Sequence, residues 1–299
     1  MARFNIGSLN SIVAGFLTLV LAIGCTGQTE NRQKEWSATS DDGSLFLLEK
    51  EDLRYGPHHT HHASVFGKYV EGYNRAILQA IDTVQATRPE GGGYFIGIFA
   101  EPTESPIGYP VGLLGNNMLE PPRPTSYCSG ASYTAFLEAM NLVFREESSR
   151  LDSARAELFR MQEPDGGRRE DHIKFWGKWN ADGFGNHFAL VQYSGMGTEI
   201  DPAAARPGDF MNISWKSGIG HSVIFLGWHR NEEDKMQLVY WSSQKGTDGL
   251  GDDVVDVDRI KSVKVVRLTN PEKLFTFKPN EEITKSIPGD SLPDFTALQ

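Results

Sequence analysis

The chain predicts an α+β fold, with N-terminal helices packed on an antiparallel sheet, and three features of the sequence predict it. Over residues 65–86, Val65, Tyr69, Tyr73, Ile77, Ile81 and Val84 recur at helical spacing. A second helical run opens at Cys128, where Ala131, Ala135, Phe136 and Leu137 can share a face. Beyond residue 205 the pattern changes to short strand-like runs, 210–215, 221–227, 236–243 and 263–268, joined mostly by glycine-rich or charged turns.

Residues 1–11 carry a single charge, Arg3, and residues 12–24 are apolar. So short an apolar run is a signal-peptide core rather than a spanning helix. It ends Leu21-Ala22-Ile23-Gly24-Cys25, which resembles a bacterial lipobox, so residues 1–25 form an export signal with Cys25 as the lipidated residue. Ala22 stands where a lipobox usually has leucine, and a plain secretory signal is the alternative. Export puts the protein in the cell envelope, anchored to a membrane through lipid on Cys25, on the periplasmic face if the cell is Gram-negative. It also leaves Cys128 as the one thiol of the mature chain, and a lone thiol in an exported protein is a candidate reactive group.

Residues 26–44 are polar and read as a flexible tether, with the folded domain over 45–280 and a loosely structured tail over 281–299. Residues 45–53 form a short apolar strand or helical turn. In His58-His59-Thr60-His61-His62 the spacing fits no closed zinc site, and no cysteine or carboxylate cluster lies nearby in sequence. The tract therefore reads as a polar lead into helix 65–86, which Arg88-Pro89 ends. Gly91-Gly92-Gly93 lacks the Lys-Ser/Thr of a phosphate loop and reads as a turn before a strand at 94–100. Six prolines over 102–124 make a long loop that leads to the cysteine and forms a wall of its site. The helix from Cys128 extends to about residue 150, and a charged stretch, 146–169, continues as a second helix and an exposed turn. Residues 246–253, rich in glycine and aspartate, read as a loop.

The formal charge is -10 with a pI near 5.3, which opposes nucleic acid as a partner and tight electrostatic binding to anionic lipid. Cys128 opens a helix behind the extended Pro124-Thr125-Ser126-Tyr127, where helix N–H groups lower a thiol pKa. The other reading of a lone cysteine is an inert core residue.

Three elements line up in order: Cys128-Ser129-Gly130 at a helix start, Pro207-Gly208-Asp209 entering a strand, and His221-Ser222-Val223-Ile224-Phe225-Leu226-Gly227. Over residues 120–270 this order resembles the NlpC-type papain-like peptidases of bacterial cell walls. The resemblance implies a papain-like fold with Cys128 as nucleophile and His221 as general base, and no metal or organic cofactor. It implies a third polar residue on the next strand, where Ser243 and Gln244 both qualify. The family often has histidine there, and this chain has none. Tyr127 stands where the family has aspartate, and Tyr109 is the candidate for its upstream tyrosine. The segment between Cys128 and His221 is long for the family, which places an insertion at about 141–200. Tyr127, Tyr109, Trp176, Trp179 and Trp241 are candidate groove residues. The paired Trp176 and Trp179 suit either a sugar-stacking platform or ordinary core packing. The implied activity is cleavage of amide bonds in peptidoglycan stem peptides. The alternatives are a Cys–His amidase or acyltransferase on another substrate, and a noncatalytic envelope scaffold of the same fold.

Overall fold

The computed structural model describes residues 44–99, 105–119, 124–161, 175–177, 185–279 and 287–296. Residues 1–43, which hold the expected export signal, Cys25 and nearly all of the expected tether, lie outside the described residues, as does Trp179. The architecture is α+β, with helices α1 (His62–Phe66), α2 (Tyr73–Ala86), α3 (Cys128–Val143) and α4 (Ser153–Glu157). A hairpin of β1 (Val111–Leu113) and β2 (Asn116–Leu119) precedes α3. The main sheet comprises β3 (Gly197–Ile200), β4 (Phe210–Trp215), β5 (Gly220–Arg230), β6 (Met236–Gln244), β7 (Gly249–Asp256) and β8 (Ile260–Leu268). Its order is β3-β8-β4-β5-β6-β7, every pair antiparallel. Among the described residues no helix is long and apolar enough to cross a membrane.

Alternation along the strands divides the sheet into two faces. Phe210, Ile224, Leu226, Trp241, Leu250 and Val266 join the main core with α2 and α3. Met211, Ile213, Val223, Phe225 and Tyr240 point the other way into a second core, where Leu45, Leu47, Leu292 and Phe295 pack. The tail is thus docked over 287–296, and Asp290 exchanges both backbone hydrogen bonds with Val263. In α3, Ala131, Ala135, Phe136, Leu137 and Met140 are fully buried, and side chains such as Phe136 and Leu137 contribute about 1.5–3 kcal/mol each.

Helical spacing alone predicts one helix over 65–86, but the chain breaks between α1 and α2, where Val70 is extended and Gly72 has φ 63°. Of the strand expected at 94–100, the described residues 94–99 form none. Tyr94 makes a single bridge to Ser126, and a 3₁₀ turn follows at Gly97–Phe99. The α3 helix ends at Val143, with a 3₁₀ segment over Arg145–Arg150. The glycine- and aspartate-rich stretch expected as a loop is largely strand β7. Asp248 (φ 47°) and Gly249 (φ 118°) turn the chain, and residues 249–256 then pair with β6 along its length. Ladder pairing there overrides weak strand propensity. Within 141–200, Leu151, Phe159, Phe175, Trp176, Phe188 and Leu190 belong to the main core, so the described part of this segment packs with the rest of the domain.

Pro207-Gly208-Asp209 ends in a wholly buried carboxylate. Arg267 on β8 binds it through two nitrogens at 2.9 and 2.8 Å, and Asn74 Nδ2 and the Arg206 N–H each donate to it at 2.8 Å. The motif is a structural tie between α2, β4 and β8.

Candidate active site

Tyr127 is extended and Cys128 begins α3, so the first N–H groups of the helix lack intrahelical acceptors. The backbone N–H groups of Ser222, Ser129 and Cys128 itself hydrogen-bond the thiol. Burial outweighs them and pushes the thiol pKa up, the reverse of what the helix start alone implies. Gly130 is required here, because a Cβ would lie 2.3 Å from Pro106 O. The helix start is wedged against the proline-rich loop.

His221 lies near the start of β5, opposite Ile213 of β4 and adjacent to Ser222 in sequence. The thiol therefore sits at the strand position next to His221. The imidazole is buried, with Trp215 and Tyr240 ring centroids 6.2 and 5.4 Å away. Burial pushes its pKa down to about 4, against a small opposing pull from Gln244.

The pairs Ile224↔Trp241 and Phe225↔Tyr240 set the β5–β6 register. Continued toward the start of β5, that register puts Gln244 across from His221 and Ser243 across from Ser222. Gln244 Nε2 is committed to Thr247 Oγ1 at 2.7 Å and Gly251 O at 3.0 Å. Its Oε1 remains for the imidazole. That oxygen and His221 Nε2 are both buried, and neither makes a close hydrogen bond within the described residues. Ser243 points to the other face, with its Oγ 2.8 Å from Ser126 Oγ. Of the two candidates for the third position, Gln244 is the one beside the ring.

The triple glycine braces the same region. Gly93 N–H donates to Asp248 O at 2.7 Å, and Gly93 O accepts from Ser126 N–H at 3.0 Å. Gly91 has φ 87°, and a Cβ there would lie 2.4 Å from Thr247 O. This loop links the approach to Cys128 with the turn that carries Gln244.

Tyr94 lies within electrostatic reach of the thiol. Burial first, then the neighbouring Cys128, pushes its phenol up to about 12. Sequence reasoning missed it because only the bridge to Ser126 brings it there. Tyr109 lies elsewhere, against Thr87, Arg88 and Glu138, the last nearly three turns along α3 from Cys128. Tyr127, Trp176 and Trp241 are core residues rather than groove lining. All are wholly enclosed, with Tyr127 OH on Met161 Sδ and Trp241 Nε1 on Gln85 Oε1.

The histidine tract gains carboxylates from distant parts of the chain. His59, His62 and Asp252 bring three possible ligand atoms within 4.8 Å of one another. Hydrogen bonds already account for this set. His62 Nε2 and His59 Nε2 lie 2.8 and 2.9 Å from the two Asp252 oxygens, and His62 Nδ1 lies 2.7 Å from Asp82 Oδ1. His59 Nδ1 accepts the His61 N–H, which puts the proton of a neutral His59 on Nε2, where a metal would need a lone pair.

No family model, curated protein or solved structure matches the chain.

Proposed function

We propose that the chain is an exported thiol hydrolase of papain-like, NlpC-type fold that cleaves amide bonds. Cys128 is the nucleophile, His221 the general base and Gln244 the group that orients the imidazole. The observation that carries this reading is the hydrogen bond to the Cys128 thiol from Ser222, the residue after His221. Burial keeps thiol and imidazole each neutral at rest, so the proton moves as the sulfur attacks. His221 takes it, and the sulfur bonds to the carbonyl carbon. The helix-start N–H groups of Cys128 and Ser129 stabilise the oxyanion. Collapse breaks the C–N bond, and His221 gives its proton to the leaving amine. Water, deprotonated by His221, then hydrolyses the thioester and restores the thiol.

The substrate class we assign is the stem peptide of peptidoglycan. Support comes from the order of motifs around Cys128, Asp209 and His221 and from the export signal at residues 1–25. Lipid on Cys25 would hold the enzyme in the cell envelope. The test is digestion of purified peptidoglycan by the form lacking residues 1–25 beside its Cys128→Ala variant, with products read by mass spectrometry. New amine and carboxyl ends from the parent form alone are expected. Intact peptidoglycan with rapid alkylation of Cys128 would move the substrate elsewhere. Intact peptidoglycan with slow alkylation would favour a noncatalytic scaffold.

A further inference from the structure

We propose that the histidine tract is a positioning device for the catalytic imidazole: His62, clamped between Asp82 and Asp252, works with His58 to hold the turn that aims Gln244 at His221. The inference rests on the Cys–His–Gln reading above.

The links are direct hydrogen bonds. Asp82, on α2, takes the His62 ring at 2.7 Å and the His62 and Ala63 backbone N–H groups at 2.8 and 2.9 Å. Asp252, on β7, takes His62 Nε2 at 2.8 Å and His59 Nε2 at 2.9 Å. Carboxylates only accept, so both nitrogens of His62 must donate, and the ring is an imidazolium. Its pKa is raised to about 9, because the two aspartates overcome the cost of burial. The charged and titratable groups facing it are Asp82 from α2, Asp252 from β7 and His59 from its own segment.

The tract and Pro57 just before it grip the 245–248 turn and the start of β7 at two points. His58 Nε2 meets Thr247 O at 2.9 Å, and Asp252 N–H donates to Pro57 O at 2.8 Å. Between these points lie the two acceptors of the Gln244 amide, Thr247 Oγ1 and Gly251 O. The tract thus holds both shoulders of the turn that fixes Gln244 Nε2, and a fixed Nε2 leaves Oε1 as the atom for His221. When His62 loses a proton, one bare nitrogen faces a carboxylate oxygen, and the clamp opens on that side.

The test is ¹⁵N-histidine NMR on the full chain carrying Cys128→Ala, so that no thiol ionisation intervenes. At pH 7 His221 should show one fixed tautomer, protonated on Nε2, and His62 should show both nitrogens protonated. His62→Gln should abolish the fixed tautomer of His221. In the His62 parent, raising the pH from 7 to 10 should shift the His221 signals with the same midpoint as His62; this arm stands even if His62→Gln does not fold. A His221 tautomer untouched by His62→Gln, or constant through the His62 titration, overturns the proposal and leaves the Cys–His–Gln reading intact. A His221 ring already exchanging between tautomers at pH 7 would overturn that reading, and the proposal with it.

Discussion

Two buried histidines in this protein carry opposite charge states, and the difference lies in what faces them. His62 meets a carboxylate on each nitrogen and is held protonated, with its pKa raised to about 9. His221 meets one neutral amide, that of Gln244, and burial pushes its pKa down to about 4. Burial disfavours the charged ring in both, so the partners decide the sign. A histidine spent on two carboxylates serves the fold. One left neutral, facing an amide rather than a carboxylate and with a thiol at the adjoining residue, is equipped to take a proton.

The largest break in this comparison is expected in catalysis. His221→Ala and Cys128→Ala should each lower peptidoglycan hydrolysis by at least about a thousandfold with the fold intact, since members of such a unit fail together. Initial rates of product release, with circular dichroism as the folding control, give the answer. The next largest should appear in stability. His62→Ala leaves two carboxylates facing each other across a cavity and should cost roughly 3–5 kcal/mol in urea unfolding, as breaking a buried charged set does. His221→Ala removes a neutral ring and should cost clearly less.

Exchanging the partners should move the two rings toward each other. Gln244→Glu should raise the His221 pKa by roughly 1–3 units, and Asp252→Asn should lower that of His62, both followed by NMR titration. The smallest effect is a pH profile of stability with opposing limbs. Between the ordinary histidine value of 6.5 and about 9, folded His62 keeps a proton that the unfolded chain has released. Its contribution, full below 6.5, is lost as the pH rises through 9. Between about 4 and 6.5 the unfolded chain binds a proton that His221 refuses. That contribution is full above 6.5 and lost as the pH falls through 4. Urea midpoints from pH 4 to 10 should therefore peak in the middle, with His62→Gln flattening the alkaline limb.

The β4–β5–β6 meander was legible because its strands are short, largely apolar runs separated by glycine-rich or charged turns, and Phe210–Trp215 matches at both ends. The helix opening at Cys128 was legible too. The break at Gly72 was not, since apolar spacing runs on across it, and neither was β7, which is set by its neighbour rather than by its own composition. The choice between Ser243 and Gln244 needed the register, because a shift of one residue exchanges the faces. Tyr94 and the aspartates around His62 were out of reach for a different reason. Asp82 lies 20 residues from His62 and Asp252 lies 190, and no local pattern links them. The pair Trp176 and Trp179 left a sugar platform and core packing both open in the sequence, and packing makes Trp176 a core residue.

The measurement that bears most directly on the central claim is the alkylation rate of Cys128 by iodoacetamide at pH 6–7, in the form lacking residues 1–25 and in its His221→Ala variant. If His221 takes the thiol proton, the parent form should react at least about a hundred times faster, the lower end of what a positioned base contributes. Equal rates in two folded proteins would mean that His221 does not act on the thiol, and would contradict the account.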